Sequence, residues 1–303
     1  MTTPRSPLKI AALQMVSRMP MDEHNVTSTI QHNLSVAEGL LEKAADKGAQ
    51  LAVLPENVLT FGCRKPFQVE EQLAWLQSFG ALARKYNSWL VAGSLPLVEF
   101  QFSAGDLPGD IQWQAGGALP FASSVVFDND GRLAAVYRKC HLFDADVSDG
   151  EKRYRESEFF QPGNEPMVVK TPWGMMGLAI CYDLRFPEYF SRLVQSGAEF
   201  VVLPSAFTYV TGKAHWEILL RARAIENQLF MVGVNQAGQH NSQRKTWGDS
   251  MIVDPWGKLL NRAGNPSAAD DSQLGCQVVL ATLEFSEVST VRQKMPVGQH
   301  HRF

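Results

Sequence analysis

Short apolar runs rich in β-branched residues recur along this chain and restrict its fold more than any other feature. They are KIAALQM (9–15), LAVLP (51–55), WLVAGSL (89–95), SSVVF (123–127), RLAAVYR (132–138), MGLAI (176–180), FVVLP (200–204), FMVGVNQ (230–236), SMIVD (250–254) and CQVVLATL (276–283). Each has the length and composition of a buried strand. Between several of them lie core-facing helical stripes. Residues 34–45 place Leu34, Ala37, Leu40, Leu41 and Ala44 at three-and-four spacing, and 73–86 and 216–228 look similar. Two separators differ. DNDGR (128–132) and DPWGK (254–258) carry hairpin chemistry, with glycine supplying a positive φ. The expected fold class is α/β, with strand–helix alternation mixed with antiparallel hairpins. Residues 100–121 are rich in Gly, Pro and polar side chains and lack periodicity. They read as a surface insertion loop inside one domain spanning 1–303, because strand-like runs resume on both sides.

Composition excludes several function classes. The 303 residues are 45% hydrophobic, enough for a large core, and the net charge of -3 offers no footprint for a nucleic-acid partner. Cys63, Cys140, Cys181 and Cys276 are widely spaced without a CxxC, which indicates neither a zinc knuckle nor a disulfide framework. No apolar run is long enough to span a membrane, and the first residues lack the long apolar segment of a secretory signal. A soluble cytoplasmic protein is the expectation. No GxGxxG or GK[ST] motif points to a nucleotide.

Chemistry concentrates where strands end. LAVLPE ends in Glu56, RLAAVYRK in Lys139 and GLAIC in Cys181. Active sites of open α/β sheets form outside the carboxyl ends of strands. Each residue has a bland reading as well. Free cysteine is often simply buried, Lys139 can point to solvent, and Glu56 can serve a helix start. Together they are coherent. A thiol is mostly protonated at neutral pH. A carboxylate can take its proton, and an ammonium can stabilise the negative oxygen of a tetrahedral intermediate. The backbone N–H of Tyr182 is a candidate second donor. Such a set suits attack on an amide or nitrile carbon, giving a thioester that water cleaves.

LPENVLTFG, YRKCHLFD and CYDLRFPE resemble the three catalytic blocks of the nitrilase superfamily, the carbon–nitrogen hydrolases. GAEFVVLPSAF, HWEILLRARAIENQ and GDSMIVDPWGKLL stand in the matching order, so the resemblance covers nearly the whole chain. It implies a four-layer α-β-β-α sandwich and pairing into homodimers or higher homo-oligomers. It implies Glu56 as general base, Lys139 as oxyanion-stabilising cation and Cys181 as nucleophile, with no metal or organic cofactor. A second glutamate after the lysine block is common in the family, and RES (155–157) makes Glu156 the candidate. Tyr182 and Asp183 after the nucleophile resemble the amidase type, where nitrilases proper carry Trp and Glu. HLFDADV and MPVGQHHR resemble the Nit branch, most of all its deaminated-glutathione amidases. The implied substrate is a small carboxylate-bearing linear amide. The alternatives are an ω-amidase acting on α-ketoglutaramate-like substrates and an N-carbamoyl amino acid hydrolase. The long 100–121 segment departs from the shorter loop of the family and can shape the pocket mouth.

Other residues have two readings. Arg185, four positions past Cys181, can bind a substrate carboxylate or form an ion pair with Glu188 or Asp183. Asp183 reads better as a residue holding the turn than as a catalytic acid. His141 reads as packed or hydrogen-bonded, and His215 as a helix-start or pocket-wall residue. Arg221, Arg223 and Glu226 read as ion-pair partners. Trp173 and Phe207 read as core or pocket wall. GQHHRF is too short for a metal tract and reads as tail packing.

Overall fold

A computed structural model of the chain describes residues 5–63, 65–114, 119–263, 275–300 and 302. Its first half runs β1 (Leu8–Gln14), α1 (Val26–Asp46), β2 (Leu51–Val53), α2 (Val69–Lys85), β3 (Trp89–Val91), β4 (Leu95–Leu97), β5 (Phe121–Phe127) and β6 (Leu133–Arg138). The second runs β7 (Met167–Lys170), β8 (Met175–Leu178), α3 (Pro187–Gln195), β9 (Phe200–Ser205), α4 (Tyr209–Asn227), β10 (Phe230–Asn235), β11 (Met251–Val253) and β12 (Leu259–Arg262). Strand β13 (Gln277–Leu283) and helix α5 (Phe285–Lys294) follow.

The strands form two main sheets. One has the order β13–β1–β2–β3–β5–β4, with β6 also paired to β5, and the other the order β7–β8–β9–β10–β11–β12. Each has a parallel centre, β1–β2–β3 in the first and β8–β9–β10 in the second, and antiparallel flanks. A helix covers every parallel step, as a crossover between parallel strands requires.

Alternation along the strands builds the layers. Ile10 and Ala12 of β1, Leu51 and Val53 of β2 and Val91 of β3 enter one core with Leu178 of β8 and Val202 of β9. Their neighbours Ala11, Leu13, Ala52 and Leu90 enter a second core with Ile30 and Leu41 of α1 and Leu76 and Phe79 of α2. These strands are buried on both faces, which is why they read as continuous apolar runs. On the far side of the second sheet, a Cβ at Gly233 of β10 would lie 2.6 Å from Leu220 and 2.8 Å from Trp216 of α4, so this helix sits directly on the sheet. Helix, sheet, sheet and helix stack as a four-layer α-β-β-α sandwich, the expected fold class.

Several expectations are refined. WLVAGSL divides into β3 and β4 because Gly93 has φ +61, and a Cβ there would sit 1.9 Å from the Pro55 carbonyl oxygen. The chain turns there to pass the loop that carries Glu56. Both hairpin turns form: Asp128 N–H donates to Arg132 O and Asp254 N–H to Lys258 O, each at 2.9 Å. All three helices start earlier than their apolar stripes. His215 therefore lies in the second turn of α4, exposed, rather than at its start. The insertion is not wholly irregular. Phe100–Gln101 pairs with Gln112–Trp113, and Phe100 packs against Trp113 at 5.1 Å between ring centroids. Its residues 115–118 lie outside the described residues, as do His301 and Phe303 of the C-terminal GQHHRF stretch. No helix among the described residues is long and apolar enough to cross a membrane.

Candidate active site

Glu56 follows β2 by three positions, and both sheets pin its backbone. Leu54 N–H continues the ladder to Val91 O at 2.9 Å. Gln236, immediately after β10, donates from Nε2 to Glu56 O at 3.0 Å and to Ser17 Oγ at 2.7 Å. Its Oε1 accepts from Ser17 N–H at 3.0 Å. A bridge between Met15 and Gln236 ties the strand ends of the two sheets beside this point.

Lys139 directly follows β6, its N–H donating to Ala122 O at 2.9 Å. Cys181 ends the chain run out of β8 and opens a short 3-10 turn, Cys181–Arg185. Its φ is +45, a region disfavoured for any residue with a Cβ. Glycine would relax there but carries no thiol. Asp183 holds the turn. It is fully buried; its Oδ2 accepts from Ile180 N–H at 2.8 Å and Tyr137 OH at 2.7 Å, and its Oδ1 from His141 N–H at 3.1 Å. The His141 ring meets Oδ1 at 2.7 Å and stacks on Phe186 with centroids 3.7 Å apart. Asp183 and His141 thus fix the elbow, as their polar, turn-holding readings require.

Glu156 comes from a small ribbon in which Arg153–Arg155 pairs with Asp144–Asp146. The fold closes the seventeen-residue separation from Lys139. Lys139 Nζ lies 2.8 Å from Glu156 Oε2 and 2.7 Å from Glu56 Oε1. Glu156 Oε2 also accepts from Phe143 N–H at 2.6 Å. Lys139 is 1% exposed, Glu56 4% and Cys181 9%, and with Glu156 all four line one cavity of about 760 Å³.

Burial of these groups fixes their protonation. It disfavours the Lys139 ammonium, but Glu156 and then Glu56 more than offset this and hold its pKa well above the ordinary lysine value. Burial, followed by the Glu56 charge, pushes the Cys181 thiol well above its usual value despite Lys139. The resting thiol is therefore neutral, with the Glu56 charge adding to the effect of burial. Burial also raises Glu156, against the opposing pull of Lys139. A neutral thiol near a carboxylate, with a fixed ammonium at the same carboxylate, is a set that can perform base-assisted thiol addition without a preformed thiolate.

The remaining sequence candidates lie elsewhere. Arg185 is half-buried over the Phe207 ring at 5.4 Å, with Nη1 3.2 Å from His215 Nδ1. Among the described residues it forms no ion pair with Glu188 or Asp183, and it is absent from the cavity wall. The Tyr182 ring packs edge-on against Phe143 at 4.9 Å, and Phe143 does line the cavity. Arg223 pairs with Glu226 at 3.0 Å, whereas Arg221 pairs with Glu217 at 3.3 Å. Trp173 and Phe207 are buried, and Leu119 and Pro120 bring the end of the insertion to the cavity. Sequence reasoning missed Gln236, Ser17 and Tyr137. The only local signal was a polar group within or just beyond an apolar run, as with Tyr137 in RLAAVYR and Gln236 after FMVGVN.

The carbon–nitrogen hydrolase family profile matches residues 9–293. A deaminated glutathione amidase of Yersinia enterocolitica is 40% identical over 265 residues, covering 86% of this chain and 85% of that protein. The deaminated glutathione amidase of Homo sapiens is 37% identical over 285 residues, covering 91% and 80%. Among solved structures, Nit3 of Saccharomyces cerevisiae, a member of branch 10 of the nitrilase superfamily, aligns with a TM-score of 0.75. It is 28% identical, over 100% of this chain and 99% of that one. The C. elegans NitFhit protein aligns with a TM-score of 0.78 and 34% identity over 99% of this chain and 66% of that one. The match spans both sheets and every strand end described above, and the chain belongs to the carbon–nitrogen hydrolase family, as an enzyme that acts on amides.

Proposed function

We propose that the chain hydrolyses a small carboxylate-bearing linear amide through a thioester on Cys181, with deaminated glutathione as its substrate. The convergence of Glu56, Lys139, Glu156 and Cys181 on one cavity carries this reading. Glu56 takes the thiol proton as Cys181 Sγ bonds to the amide carbon. The oxygen gains the electron pair and faces the Lys139 ammonium and the backbone N–H of Tyr182. Collapse breaks the C–N bond, and the amine leaves with the proton from Glu56. Water then attacks the thioester and passes its proton to Glu56. Cleavage of the C–S bond returns that proton to sulfur and releases the acid.

Deaminated glutathione is a 2-oxo acid whose distal carbonyl is amide-linked to a dipeptide, so it has a carboxylate at each end. The relatives' names support it as substrate. The test is a product-release assay on deaminated glutathione, α-ketoglutaramate, asparagine, N-carbamoyl amino acids and nitriles. Deaminated glutathione is expected to give the highest kcat/KM. A nitrile or N-carbamoyl acid as best substrate overturns the reading.

Glu156 acts in this scheme as a positioning residue. It grips Lys139 with both oxygens, at 2.9 and 2.8 Å, and accepts from Phe143 N–H. Glu156→Gln keeps one acceptor and loses the charge. Deacylation and overall turnover are expected to fall by about 10²-fold, the lower end for losing an electrostatic contributor, while a single-turnover burst of acylation persists. Unchanged kcat in Glu156→Gln removes it from the site.

We place the enzyme in the cytoplasm as a single-domain homodimer. Ile218 and Ile225 on α4 are 68% and 45% exposed, and Trp256 beside them is 66% exposed. Arg221 Nε donates to Gly257 O at 2.9 Å, joining the Trp256 turn to the helix as one apolar patch that supports pairing with a second copy. Sedimentation velocity checks the assembly state.

A further inference from the structure

Five cations among the described residues line the cavity: Lys65, Lys139, Arg153, Arg155 and Arg244. Four are matched to carboxylates. Lys65 lies 3.9 Å from Glu71, Lys139 2.7 Å from Glu56, Arg153 2.9 Å from Glu158 and Arg155 3.0 Å from Asp146. Arg244 has no carboxylate partner among the described residues, and its Nε is buried without a hydrogen-bond acceptor. Buried donors in folded proteins are nearly always paired, so a guanidinium left in this state calls for an explanation.

Its surroundings hold it in place without neutralising it. The guanidinium carbon stands 4.6 Å from the Tyr154 ring centroid and 5.5 Å from that of Phe61, and both rings line the same cavity. Each ring is anchored. Tyr154 OH donates to Asp149 Oδ2 at 2.8 Å. Phe61 stacks on His240 at 4.1 Å, and His240 is fixed by Ser17 O and Thr246 Oγ1, both at 2.7 Å. The backbone is anchored as well. Arg244 N–H donates to Asn241 Oδ1 at 2.7 Å, and Arg244 O accepts from His240 N–H at 2.9 Å. Gly150 lets a neighbouring loop pass close by, since a Cβ there would be 2.4 Å from Gln243 O. Aromatic contact favours the cation but accepts none of its N–H groups. What remains is a preorganised planar fork that fits a carboxylate.

We infer that Arg244 binds a carboxylate of the amide substrate and is the specificity-determining residue of this site. The inference rests on the amidase reading above and extends it by adding an acid-binding cation on the wall of the cavity that Lys139 also lines. Lys139 cannot serve, because two glutamates already occupy it. Arg185 is the weaker candidate, because it lies against His215 and outside the cavity wall.

The test uses ω-amides of increasing length, succinamate, glutaramate and adipamate, each beside the neutral alkanamide of matched length. The readout is the ratio of kcat/KM for the acid amide to that for its neutral partner. Arg244→Met keeps the contact with both rings and removes the fork. The ratio is expected to fall about 10- to 100-fold, the range for losing a charge-assisted pair, mainly through KM. Arg244→Lys should fall between, and Arg185→Met should leave the ratio within about twofold of wild type. An unchanged ratio in Arg244→Met, or a larger change in Arg185→Met, overturns the assignment. A wild-type enzyme that turns over none of these amides would instead overturn the amidase reading. Titration calorimetry of Cys181→Ala with α-ketoglutarate still decides the role of Arg244 in that case. Binding should weaken by the same factor in Cys181→Ala/Arg244→Met, and equal binding by the two proteins refutes the inference.

Discussion

Cys181→Ala is expected to lower kcat on the order of a millionfold while the protein stays folded. Loss of one member of a nucleophile–base unit removes about as much as loss of the whole unit. No other thiol can substitute. Cys63 also lines the cavity, but burial pushes its pKa up to about 11 and no carboxylate is hydrogen-bonded to it among the described residues. The effect on stability should be small, about 1 kcal/mol, because alanine keeps the Cβ and the Asp183 contacts that hold the turn. Cys181→Gly makes a sharper comparison. The φ of +45 is unfavourable for cysteine and alanine alike and is relieved in glycine. Cys181→Gly should therefore be inactive but no less stable than Cys181→Ala. Wild-type-like turnover in Cys181→Ala ends the thioester reading.

Lys139→Met is expected to lower kcat by at least about 10²- to 10³-fold, the scale for one lost oxyanion donor. The true loss should exceed this, because the base changes too. Lys139 separates Glu56 from Glu156 and is 1% exposed. Without it, the buried Glu56 and the part-buried Glu156 carboxylates face one another, and such a pair holds a shared proton to higher pH. Burial already raises Glu156, and Lys139 is the main influence lowering it. The acidic limb of any residual kcat/KM profile should therefore move to higher pH. Stability follows the same sign. A carboxyl whose folded pKa is raised contributes stability below its unfolded pKa, and that stability is lost as pH rises through the folded value. Relative to wild type, Lys139→Met should be closest in denaturant midpoint near pH 4–5 and furthest below it at pH 8. A variant with near-normal kcat, or with a stability deficit that grows toward acid, contradicts this account.

Much of the fold was legible in the sequence for a specific reason. Strands buried on both faces must be apolar at nearly every position, so β1, β5, β9 and β10 stand out. Other elements carried weaker signals. The Arg153–Arg155 and Asp144–Asp146 ribbon is polar and short, and only tertiary packing sustains it. The break between β3 and β4 was hidden inside one apolar run, because a glycine turn there leaves the hydrophobic pattern intact. The helices begin before their stripes because their first turns bury only isolated residues, such as Val26 and Ile30 in α1 and Gly212 in α4, which leave no continuous apolar pattern.

At the candidate site, the sequence by itself determined the identities of Glu56, Lys139 and Cys181 and their positions at three strand ends. Those positions can be read locally, because a strand ends where its apolar run ends and the next side chain is presented beyond the sheet edge. The tertiary structure alone decided that Glu156, seventeen residues past Lys139, closes on the same ammonium. It alone joined the strand ends of two separate sheets through Gln236 and Ser17. It also decided which arginine is left over. Arg185 is the arginine nearest Cys181 in sequence, yet it points to His215, whereas Arg244 from a distant loop lines the cavity with an unpaired Nε. Charge pairing in a folded protein depends on distances of a few ångströms between segments far apart in the chain. Each arginine's set of possible partners exists only once the layers have packed.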